Sequence, residues 1–314
     1  MNARALNRTN FENENRPYTY KDILDQNDGY TGALCSGTLI SDRFVLTAAH
    51  CVSEFQAQSR REVTRTVVIR DNTEYKEIFE VHRTFVHPLY VYPSLYYDIA
   101  VFELSKRVVF DYEIFGDSPP CLGEDFEIAD QVALMQGVGI TEEDRRPGVV
   151  LETKVETMSN EECTAWMRFN ISANNYQLSL PSGITEQMLC TKGILDEESG
   201  IYSGPCAGDS GGPLYINGVV DDTTGELSGQ TVAGIHSGAL GCGHRNAPAW
   251  WQRVCVKRKT RKIQIILKVC ILLQVSSFAP WIKCIKENAQ KGLSHITVTR
   301  RCIKNVKRFS SNPL

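Results

Sequence analysis

The 314-residue sequence predicts an all-β fold. Short runs rich in β-branched and aromatic residues recur along the chain, glycine and proline separate these runs, and helical periodicity is sparse. Many short strands between turn residues are typical of a β-sandwich or a β-barrel. A chain of this length fills one or two domains, and all-β enzymes often exceed roughly 200 residues as a single unit.

The predicted elements follow one another after a polar start. Residues 1–25 are asparagine-rich without clear periodicity, which predicts a flexible N-terminal segment. A capping serine followed by acidic residues at 159–163 predicts the start of a helix. The clearest predicted strands are residues 37–40, 43–47, 66–69, 98–104, 131–139 and 230–235.

Charge is unevenly distributed along the chain, although the net charge is only −3. Residues 253–308 contain 15 Lys and Arg and one acidic residue, Glu287, whereas the remainder contains 19 basic and 36 acidic residues. A basic segment of this kind is typical of nucleic-acid or membrane contact, so a nucleic-acid binder is one alternative function. The most apolar window, residues 263–275, contains Lys268 and is shorter than the ~20 residues of a membrane span, so no transmembrane helix is predicted.

Three motifs supply a histidine, an aspartate and a serine in that order. A serine hydroxyl is a poor nucleophile until a base takes its proton, and an imidazole serves as that base when a third group fixes its tautomer. Each motif alone also fits a structural histidine, an edge-strand carboxylate or an ordinary glycine-rich turn. The motifs are Thr-Ala-Ala-His-Cys at 47–51, Asp-Ile-Ala at 98–100 and Gly-Asp-Ser-Gly-Gly-Pro-Leu at 208–214.

With their flanking residues, the three motifs resemble the trypsin/chymotrypsin-like family of serine endopeptidases. The resemblance implies two six-stranded antiparallel β-barrels with a short C-terminal helix, and an active site in the cleft between the barrels. It makes Ser210 the nucleophile, His50 the general base and Asp98 the group that orients His50. It also assigns the oxyanion hole to the main-chain N–H groups of Gly208 and Ser210.

The resemblance further implies a substrate pocket formed by Gly204, Ser237, Ala239 and Ala249. Trypsin-like members carry an aspartate at the position of Gly204, at the pocket base, where it pairs with Arg or Lys. Without that carboxylate the ion pair is lost, and the two alanines narrow a slot that glycines often line. We therefore predict cleavage after small or medium uncharged residues. Ser237 also matches the family serine that hydrogen-bonds the triad aspartate.

Eleven cysteines indicate an oxidising compartment, so an extracellular or secreted protein is expected although no signal peptide is visible. The resemblance implies three disulfides and leaves Cys121, Cys284 and Cys302 without an assigned role. The implied pairs are Cys35–Cys51, Cys163–Cys190 and Cys206–Cys242.

Activation and the C-terminal region depart from the family pattern. Family zymogens are cut before an Ile-Val-Gly-Gly-type segment, and the new N-terminal ammonium pairs with the aspartate at the position of Asp209. No such segment precedes Cys35.

The family junction Arg-Val-Ser-x-Phe-x-Pro-Trp-Ile is interrupted by residues 254–274. Because valine codons begin with GT, a glutamine codon can end in AG and the length is divisible by three, we hypothesise a translated intron. A genuine surface insertion is the alternative.

The domain prediction is a flexible segment at 1–25, a trypsin-like protease domain at 26–290 containing the insertion at 254–274, and a basic tail at 291–314. The predicted function is a serine endopeptidase with protein or peptide substrates, and protease inhibitors as further partners. We expect a monomer without nucleic-acid or membrane partners and without a metal or organic cofactor. The alternative is a catalytically inactive homologue that acts as a binding or regulatory protein, which the missing activation segment favours.

Overall fold

The structure is a computed structural model that describes eleven stretches of the chain. These are residues 19–23, 33–52, 66–70, 76–109, 121–122, 130–141, 150–170, 179–216, 231–242, 248–254 and 278–307.

The first six strands form a closed antiparallel barrel in the order β1-β2-β3-β6-β5-β4, which confirms the predicted all-β class and the first of the two barrels. Strand β1 lies inside the segment predicted to be flexible, and it pairs with both β2 and β4. Strand β1 closes the barrel, so neither β2 nor β4 has an unpaired edge. The strand is defined by this pairing, because its polar sequence Thr-Tyr-Lys-Asp-Ile does not indicate a strand. The strands are β1 (Thr19–Ile23), β2 (Ala33–Ser41), β3 (Phe44–Thr47), β4 (Thr66–Arg70), β5 (Lys76–Val86) and β6 (Ala100–Leu104).

The second sheet has seven strands in the order β13-β8-β9-β10-β15-β14-β7. An additional pairing of β13 with β14 joins six of these strands into a ring, and β7 is added to β14 in parallel orientation. The sequence prediction of six strands therefore omits β7. The strands are β7 (Cys121–Leu122), β8 (Val132–Gly137), β9 (Leu151–Met158), β10 (Met188–Gly193), β13 (Pro213–Ile216), β14 (Thr231–Ala239) and β15 (Ala249–Arg253), while β11 (Leu195–Asp196) and β12 (Ile201–Tyr202) form a separate pair.

The long helices among the described residues are α1 (Asn160–Asn170), α2 (Ala279–Gln290) and α3 (His295–Lys307). The Ser159 hydroxyl accepts the main-chain N–H of Glu162 at 3.1 Å, as the predicted helix start requires. The sequence predicts one C-terminal helix, but the basic tail contains a second one, α3. Its residues Val298 and Cys302 are buried four positions apart, the spacing of one helix face. No helix among the described residues is long and apolar enough to cross a membrane.

One apolar cluster joins both sheets to the C-terminal helices. Val254 belongs to this cluster, and its N–H donates to the carbonyl of Ala233 at 2.8 Å, so the chain continues in register one residue beyond β15. The rest of the hypothesised insertion lies outside the described residues. The cluster includes Ile40, Phe44 and Phe85 of the first barrel, Tyr215, Val232 and Ile235 of the second sheet, and Phe278, Trp281, Ile282 and Ile285 at the helices.

Candidate active site

The carboxylate of Asp98 is the centre of a buried hydrogen-bond network. Asp98 lies two residues before β6, whose five residues are all buried, and it is itself inaccessible to solvent. Its Oδ1 accepts the main-chain N–H of His50 at 2.7 Å, and its Oδ2 lies 2.7 Å from Nδ1 of the same residue. The Ser237 hydroxyl donates to Oδ2 at 2.6 Å. Because the carboxylate accepts at Nδ1, the proton of a neutral His50 ring is held there and Nε2 is left as the basic nitrogen.

His50 and Ser210 approach each other from different sheets. His50 follows β3 of the first barrel, and Ser210 precedes β13 of the second sheet. The Sγ atom of Cys51 lies 3.9 Å from His50 Nε2 and 3.7 Å from the main-chain oxygen of Ser210, so both groups border one sulfur atom. The N–H of Ser36 also donates to the Ser210 carbonyl at 2.7 Å. The structure therefore brings His50, Asp98 and the Ser210 turn together where the sheets meet.

The turn around Ser210 presents two unused donors. Among the described residues, neither the N–H of Gly208 nor that of Ser210 has a hydrogen-bond acceptor. The Gly208 carbonyl is held by the Ser36 hydroxyl at 2.9 Å. Gly211 has a φ of +82°, and a Cβ there would lie 2.2 Å from the Thr47 hydroxyl, so this position requires glycine. The arrangement leaves donors available to an oxyanion beside a partly exposed serine.

Asp209 has a buried carboxylate that contacts main-chain donors. Its Oδ1 accepts the N–H of Gly139 at 2.8 Å, and its Oδ2 accepts the N–H of Cys206 at 2.8 Å. A Cβ at Gly137 would lie 1.9 Å from Oδ1, so the carboxylate occupies space that a side chain would need. These contacts connect Asp209 with two segments that flank the Ser210 turn.

Gly204, Ala239 and Ala249 line one small cavity together with Thr191 and Lys192. Its volume is about 10 Å³, the space of about one water molecule. Ser237, which the resemblance also assigned to the pocket, does not line this cavity and instead donates to Asp98.

Lys192 at this cavity was missed by the sequence analysis. Its Nζ lies 3.0 Å from a carboxylate oxygen of Glu156, which raises the lysine pKa chiefly through that hydrogen bond. Glu156 is its direct neighbour on β9. The register of β9 against β10 shows this pair, but the sequence alone does not give that register.

His236 is a second residue that the sequence analysis did not single out. The main-chain N–H of His236 donates to the Gly212 carbonyl at 2.8 Å, and the His236 carbonyl accepts the main-chain N–H of Gly211 at 2.8 Å. The backbone of His236 therefore holds the turn that contains Ser210. The ring is buried against Trp251, with ring centres 4.9 Å apart. Burial, and to a lesser degree the nearby His50, lowers the His236 pKa to about 3. The available signal was its position next to Ser237.

Four disulfides are present among the described residues. Three are the pairs implied by the resemblance, and the fourth, Cys284–Cys302, joins α2 to α3 with a Cα–Cα distance of 5.6 Å. Cys35, His50 and Cys51 form a compact group of metal-ligand types, but the two sulfurs are bonded to each other and offer no thiolate. The other pairs are Cys35–Cys51, Cys163–Cys190 and Cys206–Cys242.

Similarity to known proteins covers most of the chain. A family model described as Trypsin matches residues 6–260. A trypsin of Simulium vittatum is 29% identical over 219 residues, which are 68% of this chain and 74% of that protein. The clotting factor G beta subunit of Tachypleus tridentatus is 29% identical over 231 residues, which are 70% of this chain and 67% of that protein.

A solved structure supports the same fold. Neuropsin, a serine protease expressed in the limbic system of mouse brain, superimposes with a TM-score of 0.53. The alignment covers 76% of this chain and 89% of neuropsin at 22% sequence identity, so it is similarity of fold alone.

Proposed function

Because the chain belongs to the trypsin family of serine proteases, we propose that it is a serine endopeptidase that hydrolyses protein or peptide substrates. The observation that carries this proposal is the buried network in which Asp98 accepts hydrogen bonds from His50 and Ser237 beside the Ser210 turn. That network leaves His50 Nε2 as a base. Protease inhibitors that occupy the same cleft are the other proposed partners of a monomeric enzyme.

In the proposed mechanism the hydroxyl of Ser210 attacks the peptide carbonyl and His50 Nε2 takes its proton. The resulting oxyanion accepts hydrogen bonds from the N–H groups of Gly208 and Ser210, which stabilise charge that exists only after attack. His50 then passes the proton to the leaving amine, and an acyl-enzyme remains. Water, deprotonated by His50, releases the acyl group, and Asp98 stabilises each imidazolium that forms.

Asp209 is the proposed partner of a new N-terminal ammonium produced by activation cleavage. Its buried carboxylate already contacts the N–H groups of Gly139 and Cys206, and an added ammonium there would form a charge-assisted pair that fixes the neighbouring turn. We therefore infer a zymogen. The four disulfides support a secreted protein, since such bonds persist in oxidising compartments.

Substrate preference follows from the cavity lined by Gly204, Ala239 and Ala249. Among the residues that the structure describes, no acidic side chain lines the cavity, and its volume of about 10 Å³ excludes long side chains unless the walls move. We infer cleavage after small or medium uncharged residues. A positional peptide library on activated full-length protein should favour residues such as Ala and Val, and dominance of Arg or Lys would contradict this preference.

A fluorophosphonate probe tests the mechanism, because it reacts only with a serine made nucleophilic by its surroundings. The folded, activated protein should be labelled, and Ser210→Ala and His50→Ala should each abolish labelling. Ser182→Ala is the matched control, since Ser182 is exposed and lies outside the network, and it should be labelled like the wild type. A folded, activated wild type that resists the probe would overturn the proposal in favour of an inactive binding homologue.

A further inference from the structure

A polar cleft of about 400 Å³ lies between the first barrel and the turn that connects α2 to α3. It shares no lining residue with the network of Asp98, His50 and Ser210. The barrel side is formed by Arg43, His82, Arg83 and Glu103, and the helix side by the chain around Gly292 and His295. The size is that of a small-molecule site, and a bare tetrahedral anion would fill only part of it.

The cleft has an excess of positive charge. Glu103 is 2% exposed, and its two carboxylate oxygens are shared between two guanidinium groups: Arg83 Nε at 2.5 Å and Arg43 Nε at 3.4 Å. One carboxylate therefore balances two fixed cations, so one full positive charge remains for a ligand. Because the carboxylate is buried, its partners are held in place rather than moving freely in solvent.

Arg83 and Arg43 differ in their hydrogen-bond partners. Arg83 donates through its Nη atoms to the carbonyls of Leu293 at 2.5 Å and Ala289 at 3.4 Å, so it anchors the helical turn to the barrel. Arg43 donates through Nε to the carbonyl of Leu104 at 3.1 Å, and its Nη groups have no partner among the described residues. Its planar fork is therefore available, and a guanidinium fork matches the oxygen spacing of sulfate, phosphate and carboxylate groups.

The surroundings of the cleft extend the positive charge. His82 is exposed and has no hydrogen-bond partner among the described residues, so its ring can donate to a ligand. On α3, Arg300 and Arg301 have exposed side chains, and no acidic residue follows Glu287 in the sequence. A ligand with several anionic groups would meet one of them in the cleft and the others along α3.

We propose that this cleft binds a sulfate ester of a sulfated polysaccharide. The room beyond a single anion favours a sugar-borne group over a free ion, and the basic helix beside it favours a repeating polyanion. A protein with four disulfides meets sulfated glycans in the extracellular compartment, whereas nucleic acids belong to the reduced interior of the cell. The site is separate from the proposed peptidase centre and does not depend on it.

Isothermal titration calorimetry with a sulfated hexasaccharide on the full chain tests the site. The wild type should bind saturably, with an affinity that falls as salt rises. Arg43→Gln should weaken binding about tenfold, because it removes a charge-assisted contact. Arg168→Gln is the matched control: Arg168 is exposed on helix α1, which lies between β9 and β10 in the chain, so the same loss of charge should leave the affinity unchanged.

A second variant keeps the test decisive if Arg43→Gln fails to fold. His82→Ala leaves both ion pairs to Glu103 intact and should still weaken hexasaccharide binding, with an unchanged melting temperature. Arg300→Gln should weaken binding of the hexasaccharide but not of inorganic sulfate. Absence of saturable binding, unchanged affinity in both Arg43→Gln and His82→Ala, or preferential displacement by a DNA oligonucleotide of equal charge would overturn the proposal.

Discussion

Ser237 shows how a residue outside the Ser-His-Asp set can govern the proposed chemistry. Its hydroxyl donates to the same carboxylate oxygen of Asp98 that faces His50 Nδ1. Gln252 extends the support, with Nε2 3.4 Å from the Ser237 hydroxyl and 2.9 Å from the carbonyl of Leu95. The aspartate is therefore positioned by the second sheet as well as by His50 of the first barrel.

Replacing Ser237 with alanine should lower kcat by about tenfold to a hundredfold while KM changes little. A hydrogen bond to a charged group contributes about 1.5–3 kcal/mol, and Asp98 must hold the imidazolium in the transition state. Steady-state hydrolysis of a peptide substrate by the activated protein measures the effect, with Ser182→Ala as the control. A kcat equal to that of the wild type would mean that Asp98 needs no help from Ser237.

Gly137→Ala should destabilise the protein by about 1–3 kcal/mol and reduce probe labelling of Ser210. The added methyl would lie 1.9 Å from Asp209 Oδ1, so the buried carboxylate must shift and move the adjacent turn. Urea unfolding and the labelling rate measure the two effects.

Gly200→Ala is the control for this substitution. Gly200 has open space around it and a φ of +69°, so alanine there brings backbone strain but no collision. This variant should keep its labelling rate. Equal labelling by Gly137→Ala and the wild type would contradict the role given to Asp209.

The residues of the candidate site can be singled out from the sequence at this scale because nucleophilic catalysis requires particular side chains in short motifs. His50, Asp98 and Ser210 stand out for that reason. His236 and Lys192 do not, because burial beneath the turn and pairing with Glu156 arise from strand register. Only the folded chain specifies such neighbours.

Among the elements, the segment before Asp98 and the start of α2 meet in an aromatic cluster. The ring of His87 stacks on Tyr97 at 5.2 Å and contacts Phe278 and Trp281 edge-on at 5.0 and 4.9 Å. Burial lowers the pKa of His87 to about 3. The cluster thus connects the C-terminal helix to the chain that leads into Asp98.

Stability should fall as the pH is lowered from about 6.5 toward 3. The unfolded chain binds a proton at His87 near pH 6.5, whereas the folded protein excludes it until about pH 3, so the unfolded state gains protons in between. The loss is about 1.4 kcal/mol per pH unit below 6.5 for this residue, and His236 adds a similar contribution. Above pH 6.5 neither residue contributes to the slope.

Urea unfolding at pH 7 and pH 5 tests this expectation. His87→Phe keeps an aromatic ring in the cluster and should lose about 2 kcal/mol less than the wild type between the two pH values. An identical pH dependence in the variant and the wild type would show that His87 is protonated without cost in the fold.

At the element scale, runs of β-branched and aromatic residues between turn residues predicted strands whose residues are all buried, and this signal failed where the strand is polar. Strand β3, with four buried residues, was predicted, and so was β6. Strand β1 was missed because its sequence is polar and the strand is defined by pairing with two neighbours. Helix α3 was missed because the many basic residues of the tail obscured the apolar positions on one face of the helix. Pairing and docking supplied what local sequence lacked.

For the whole molecule, the proposed active site depends on the relation between the two sheets. His50 and Asp98 come with the first barrel, whereas Ser210 and Ser237 come with the second sheet. The shared apolar cluster holds the two halves together, and α2 contributes Trp281 and Ile282 to it. Family resemblance predicted this two-part layout, which periodicity alone left open between a sandwich and a barrel.

Deleting residues 254–274 should preserve the fold. Val275 would then follow Arg253 and occupy the buried position of Val254, whose N–H bonds to Ala233. Shortening the connection between two elements changes its closure free energy by only about 1 kcal/mol. Thermal unfolding should therefore show a melting temperature equal to or above that of the full chain. Loss of cooperative unfolding in the deletion variant would identify the segment as part of the native structure.

The packing of α2 also has a consequence for biosynthesis. Ile40, Phe44 and Phe85 lie in the same buried cluster as Trp281 and Ile285, yet the ribosome makes the six strands of the first barrel long before it makes those helical residues. Until translation is nearly finished, the nascent chain exposes this apolar surface to its surroundings. We expect chaperones to bind the nascent chain for most of its synthesis. A prematurely terminated chain should be degraded.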